Sequence, residues 1–307
     1  MKILVTAADL APEAQTLLRD YELVYAGRTP TEDDITNLCI SHQPVAMIVR
    51  YGRITQRIID ACNQLRVISK HGSGIDSIDV ACATARGIAV KAATGANAAA
   101  VAEHTWALIL ACAKSVSYLD ARMHAGHWDK PTHKSIELNG RTLGLIGLGA
   151  IGGRVARIGL AMDMKVIAHD PFVRSSPAGI TMCELVDVIK QADVLSLHCP
   201  LTSDNRNLLN RNMLALMPRG SILVNTARGG LVDEAGLAEV LNSGRLQAVG
   251  LDSFLTEPPT ELPLRGLPGA ILSPHVGGVS NDAYRNMGTA AANNILSVLT
   301  ESTEEIK

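Results

Sequence analysis

The segment Gly147-Leu148-Gly149-Ala150-Ile151-Gly152 follows a short apolar run and opens a helical pattern, and Asp170 lies 18 residues beyond its last glycine. That spacing is the fingerprint of a βαβ unit that binds a dinucleotide. Gly147 permits the tight turn, Gly149 lets the backbone approach a pyrophosphate, and Gly152 lets helix and strand pack closely. The helix start, at Ala150 and Ile151, offers unpaired N–H groups to the phosphates. Asp170 would accept hydrogen bonds from the adenosine ribose, and its charge repels a 2′-phosphate, which favours NAD over NADP. The same residues also fit an ordinary βα turn followed by an aspartate that merely caps.

Further motifs stand in a fixed order along most of the chain. They are His71-Gly72-Ser73-Gly74-Ile75-Asp76, Ala102-Glu103-His104-Thr105, the glycine loop, Asn225-Thr226-Ala227-Arg228-Gly229-Gly230, Leu251-Asp252 with Glu257-Pro258, and Ser273-Pro274-His275-Val276-Gly277-Gly278. Together they make the chain resemble the D-isomer-specific 2-hydroxyacid dehydrogenases, in the branch of D-3-phosphoglycerate dehydrogenase and hydroxypyruvate/glyoxylate reductase. The resemblance implies a substrate domain formed by the first and last segments, an NAD domain in the middle, and an active-site cleft between them.

Reduction of a 2-oxo acid needs a cation for the carboxylate, a proton donor for the carbonyl oxygen, and a hydride placed over the carbon. Arg228 suits the first task, because a guanidinium engages carboxylate and carbonyl oxygens together. His275 suits the second, since imidazole exchanges a proton near neutral pH. Glu257 would orient the imidazole and favour its protonated form. Read without the family, an ordinary loop role fits all three as well as a catalytic one; by resemblance they match its catalytic arginine, glutamate and histidine.

The resemblance carries other positions over. Ser73 and Gly74 match a loop whose N–H groups bind the substrate carboxylate, Asp252 matches the residue that orients the nicotinamide carboxamide, and Thr226 and Ala227 fall in the cofactor-side motif. Gly277 and Gly278 would let the chain pass close to the nicotinamide ring. The loop with Cys199 and Pro200 matches one that lies along the adenosine. Here the chain departs from the family, reading Ser203-Asp204-Asn205-Arg206-Asn207 where a threonine and then a glycine are usual in the last three places. Arg50 and Lys70-His71 end two strands, where ligands of parallel sheets bind, and a cationic mouth there would suit a phosphorylated or sulfonated three-carbon acid. Solvated or salt-bridged side chains are the other possibility.

Positioning these residues requires two series of alternating strands and helices, hence an α/β fold with two doubly wound parallel-sheet domains. The first, flavodoxin-like, has expected strands at 2–5, 22–25, 45–49, 66–69 and 88–90 and a helix at 55–62. The second, a Rossmann sheet, has six expected strands at 142–146, 165–168, 194–198, 222–225, 248–251 and 270–272. A single helical run over 98–125 is expected to cross between domains, and a last helix over 282–299 to return to the first sheet. The expected division is 1–96 plus 284–307 for the substrate domain and 97–283 for the NAD domain.

With 307 residues, 47% hydrophobic and 19% charged, the chain has the composition of a folded enzyme. Its 28 basic and 30 acidic side chains leave a charge of −2, so no positive field favours nucleic acid. No apolar run is long enough to span a membrane, and Asp9 interrupts the opening run too early for a secretion signal. The six scattered cysteines suit the reducing cytoplasm. His124, His127 and His133 lack an acidic or cysteine partner at ligand spacing, so no metal is expected. The apolar run 105–113 and the Trp128 loop suggest a homodimer, as in the family. Thirty-two residues follow His275, too few for the regulatory domain of some phosphoglycerate dehydrogenases. An NAD-sensing corepressor is the rival from another class, and formate oxidation is disfavoured because Glu257 stands where that chemistry uses glutamine.

Overall fold

A computed structural model describes residues 1–304. Contacts divide the chain into two compact units, Met1–Asn97 with the segment from Val279 onward, and Ala98–Gly278. The first holds β1 (Lys2–Val5), α1 (Pro12–Leu17), β2 (Glu22–Tyr25), α2 (Glu32–His42), β3 (Ala46–Val49), α3 (Gln56–Asp60), β4 (Val67–Lys70), α4 (Val80–Ala85) and β5 (Ala89–Ala92). The second holds α5 (Ala98–Lys114), α6 (Val116–His124), β6 (Thr142–Ile146), α7 (Gly152–Ala161), β7 (Lys165–His169), β8 (Ile180–Met182), α8 (Leu185–Gln191) and β9 (Val194–Leu197). It continues with α9 (Arg211–Leu214), β10 (Ser221–Asn225), a 3₁₀ turn at Gly229–Leu231, α10 (Glu234–Asn242), β11 (Leu246–Leu251) and β12 (Ala270–Leu272). The last helix, α11 (Asn281–Glu304), belongs to the first unit.

The first sheet is parallel throughout, in the order β2-β1-β3-β4-β5. Its central strand β3, Ala-Met-Ile-Val, is buried at every position, as a parallel strand covered on both faces must be. Ala291, Ala292, Ile295 and Leu299 of α11 enter the core formed by Ile3, Val5 and Leu18. The strand order reverses between β1 and β3, so the loops after them, carrying Asp9 and Arg50, leave the sheet side by side at its switch point.

The second sheet, also parallel, has the order β12-β11-β10-β9-β6-β7-β8. It has seven strands where six are expected. The additional one, β8, is a three-residue edge strand, too short to show a period of its own. Ile146 pairs with His169 and Leu197, and Asn225 with Leu197 and Leu251, so the carboxyl ends of β6, β7, β9, β10 and β11 align. The glycine loop, Asp170, Arg228 and Asp252 all emerge from this edge.

The helical run over 98–125 is two helices, not one. Ser115 breaks it with φ of 55°, a left-handed conformation that no glycine or proline announces in the sequence. Nor does the run cross between units, for both helices lie in the second. Residues 105–113 do not form an exposed apolar surface either. Thr105, Trp106, Leu108, Ile109, Cys112 and Ala113 are buried, and Trp106 Nε1 donates to the Val155 carbonyl at 3.2 Å. No helix among the described residues is long and apolar enough to cross a membrane.

Candidate active site

The glycine loop leaves β6 and doubles back into α7. Gly147 has φ of 94°, and a Cβ there would lie 2.7 Å from the Cys199 nitrogen and the His198 carbonyl carbon. A Cβ on Gly152 would lie 2.2 Å from the Gly147 carbonyl oxygen, whereas one on Gly149 would meet nothing within 4 Å. The first and last glycines therefore close the turn, and the middle one faces open space. Helix α7 starts without a side-chain cap, so its first-turn N–H groups stay available to an anion. A dinucleotide pyrophosphate fits this cradle.

Asp170, just past β7, accepts from the Leu148 N–H at 2.8 Å with one oxygen and from the Phe172 N–H at 2.9 Å with the other. It thus fixes the glycine loop as well as its own turn. A carboxylate has about four acceptor sites, so two remain for ribose hydroxyls.

The loop after β9 is closed by Asn205, whose side chain donates to the Pro200 carbonyl and accepts from the Thr202 N–H, each at 2.7 Å. Asn207 has φ of 51°. Asparagine tolerates this left-handed conformation, so the residue standing in place of the usual glycine preserves the turn. Burial pushes the Cys199 thiol up to about 11, leaving it protonated near neutral pH.

Arg228 follows β10 in a turn stapled by Asn225. The Asn225 amide donates to the Arg228 carbonyl at 2.8 Å and its carbonyl accepts from the Ala227 N–H at 3.0 Å. Thr226 meets Thr105, hydroxyl to hydroxyl, at 2.8 Å. A Cβ on Gly229 would lie 1.9 Å from the Phe254 carbonyl carbon, so only glycine lets the arginine turn press against the segment that carries Glu257.

Glu257 accepts from the Phe254 N–H at 3.0 Å through one oxygen and meets His275 Nδ1 at 2.7 Å through the other. The His275 side chain is 45% exposed, so the pair can reach a ligand. The Glu257 hydrogen bond raises the imidazole pKa, against an opposing burial effect, and the charges of Glu257 and Asp252 add to the rise while Arg228 opposes it. Burial alone would raise the Glu257 pKa, but the bonds from His275 and Phe254 hold it below its ordinary value.

His275 itself has φ of 53°, rare for a residue with a Cβ. Asp252, 2% exposed, holds it there. One of its oxygens accepts from the Ser273 hydroxyl at 2.6 Å and the Val276 N–H at 2.9 Å, and the other from the Gly277 N–H at 2.8 Å. His104 Nε2 meets the Ser273 hydroxyl at 2.8 Å and lies 3.3 Å from Asp252. Asp252 is expected from the resemblance to orient the nicotinamide; here three hydrogen bonds tie it to the histidine loop, and one of the roughly four acceptor sites of its carboxylate remains. Gly278 follows in that loop. Asn225, Ser273 and His104 are positioning residues that sequence reasoning missed, although all three lie within motifs it had marked.

In the first unit, Arg50 does not stand as a free cation. Its Nη1 lies 3.0 Å from Asp9, and its guanidinium stacks 4.6 Å from the centre of the Tyr284 ring and 5.0 Å from that of Tyr51. His71 is 5% exposed, and burial, with the charges of Arg50 and Lys70, pushes it down to about 4. Ser73 donates to the Asn97 side chain at 3.3 Å, and Gly74 continues that loop.

Residues 106–277 match the family described as D-isomer specific 2-hydroxyacid dehydrogenase, NAD binding domain. A D-3-phosphoglycerate dehydrogenase of Methanocaldococcus jannaschii is 42% identical over 82% of this chain, which spans 49% of that protein's length. A hydroxypyruvate reductase of Thermotoga maritima is 39% identical over 91% of this chain and 92% of its own. Among solved structures, a glyoxylate reductase from Paecilomyes thermophila superposes with a TM-score of 0.89 at 29% identity, covering 98% of this chain and 96% of the other.

Proposed function

The chain belongs to the D-isomer-specific 2-hydroxyacid dehydrogenases, and on that premise we propose that it interconverts a small 2-oxo acid and its D-2-hydroxy acid with NADH and NAD. The observation that carries the proposal is the 2.7 Å contact of His275 Nδ1 with Glu257, which leaves Nε2 as the proton-exchanging atom. Arg228 binds the acid carboxylate and polarises its carbonyl. As negative charge develops on the carbonyl oxygen, His275 Nε2 gives it a proton, and in the reverse direction takes one back. Glu257 orients the ring and stabilises the imidazolium. NADH, when bound, supplies the hydride. Gly147, Gly149, Ala150, Ile151, Gly152 and Asp170 would hold it, with Cys199, Pro200, Thr226, Ala227, Asp252, Gly277 and Gly278 along its length.

Arg50, His71, Ser73 and Gly74 are proposed for the acid substrate. By sequence, D-3-phosphoglycerate is the first expectation and hydroxypyruvate or glyoxylate the second; the reacting end is common to all. The six cysteines are all free thiols, which suits the cytoplasm.

NADH oxidation against a panel of 2-oxo acids tests the proposal. Saturable turnover is expected, with kcat/KM lower by at least about tenfold for NADPH. Asp170→Ala should narrow that ratio while weakening both cofactors, because it also releases the glycine loop. Absence of turnover with every oxo acid would reduce the protein to a nucleotide binder, and equal efficiencies would overturn the role given to Asp170.

We also propose a C₂ homodimer. Helix α6 buries no residue, and Val116, Tyr118 and Met123 are more than half exposed, as is the nearby Trp128 at 68%. Light scattering at micromolar concentration should give twice the chain mass. A value near 32.5 kDa would contradict the dimer.

A further inference from the structure

At the switch point of the first sheet, Asp9 accepts on a single oxygen from Arg50 Nη1 at 3.0 Å and from the Tyr284 hydroxyl at 2.6 Å. The Arg50 guanidinium also lies over the Tyr51 and Tyr284 rings. Its side chain is 26% exposed, whereas that of Asp9 is 68% exposed. What this corner presents to solvent is therefore a carboxylate with a guanidinium drawn back behind it. Of the neighbouring groups His71, Lys70 and Tyr284, Lys70 alone adds a charge, a positive one held behind the strand end. His71 is buried, with neither ring nitrogen in a hydrogen bond of proper geometry, and its low pKa keeps it neutral near pH 7. Lys70 directs its ammonium onto the Arg50 carbonyl at 3.2 Å and towards the Ser77 hydroxyl at 3.5 Å, tying it to the loops beside the strand. Burial, and then the bond to Asp9, raise the Tyr284 phenol above its ordinary pKa, so it stays a neutral donor to Asp9.

We propose that Asp9, acting through Arg50 and fixed by Tyr284, selects against phosphorylated substrates, so that the preferred acid carries an uncharged tail. The inference rests on the dehydrogenase reading above and on its assignment of Arg50 to the substrate. A phosphate monoester carries a charge of about −1.5 to −2 near pH 7 and would have to displace or sit beside the Asp9 carboxylate to engage Arg50. A hydrogen atom or a hydroxyl on the carbon next to the carbonyl meets no such repulsion.

The test uses three oxo acids that share a carbon skeleton and differ only in the group on C3: pyruvate, hydroxypyruvate and 3-phosphooxypyruvate, each with saturating NADH. In the wild type, kcat/KM for the phosphorylated acid should be at least about tenfold below that for hydroxypyruvate. Asp9→Asn keeps the shape and removes the charge, and should raise the phosphorylated-to-hydroxyl ratio by about tenfold or more. Asp9→Ala, which also drops both contacts, should move it the same way, and each variant's thermal midpoint shows whether the fold is kept. A ratio normalises itself, so general loss of stability leaves it unmoved. A wild type that prefers the phosphorylated acid, or a ratio unchanged in both folded variants, overturns the role of Asp9 and leaves the dehydrogenase standing. No turnover of any of the three, nor of any other 2-oxo acid, removes the dehydrogenase reading and this inference with it.

Discussion

Replacing His275 with alanine is expected to leave binding of NADH and oxo acid nearly intact while lowering turnover by about 10² to 10⁴, the usual worth of a positioned acid. The loop that carries it is held by main-chain and Ser273 bonds to Asp252, none of which involves the imidazole, so truncation removes the proton donor and little else. Single-turnover kinetics separate the step from binding. Unchanged turnover would remove His275 from the chemistry. Glu257→Gln completes the experiment. In the native pair the imidazole pKa is raised, chiefly by the Glu257 bond, so reduction, which needs the protonated ring, persists below that raised value and is lost as pH rises through it. Glutamine keeps the shape but not the charge, and the alkaline limb should move to lower pH. A limb that stays in place would mean that another group sets the proton affinity.

Arg228→Ala should raise the KM for the oxo acid and lower kcat as well, with a combined loss in kcat/KM of about 10³ or more. Both parameters should move because the guanidinium binds the carboxylate in the ground state and stabilises the developing oxyanion in the transition state. The turn itself is held by the Asn225 side chain on the main chain of Ala227 and Arg228, and so should survive the truncation. NADH binding, followed by fluorescence titration, serves as the control. A change in KM with kcat unmoved would confine Arg228 to binding. Arg228→Lys restores charge without the fork and should recover only part of the loss.

Strands 2–5 and 22–25 were legible to the residue, because each is a short apolar or β-branched run between turn residues, buried in the first and half-exposed at the sheet edge in the second. The bounds of β3, β4 and β5 shift by a residue or two, since hydrogen-bond register, not composition, sets where pairing starts. β8 and the Ser115 break were not legible, the one for brevity and the other because its left-handed residue is an unmarked serine. The same contrast divides the site. Gly147 announces itself by type and spacing, and Arg228, Glu257 and His275 by the family motifs that contain them. The tying of Arg50 to Asp9 and Tyr284 does not, because it joins residues 41 and up to 275 positions apart that only the fold brings together. Asn225, Ser273 and His104 also act through contacts with main chain or with one another, which no local pattern encodes.

The return of α11 to the first sheet has a consequence for the order of events during synthesis. The second unit is one contiguous stretch, Ala98–Gly278, and has all its partners as soon as it clears the ribosome. The first unit does not. Its α1 and β4 pack on a helix that begins at Asn281, so the core of Ile3, Val5 and Leu18 stays open on one side while the whole of the second unit is being made. At about 5–20 residues per second that interval is on the order of ten to forty seconds. Through it the nascent amino-terminal segment carries an uncovered apolar face, the kind of surface that exposes a folding chain to aggregation.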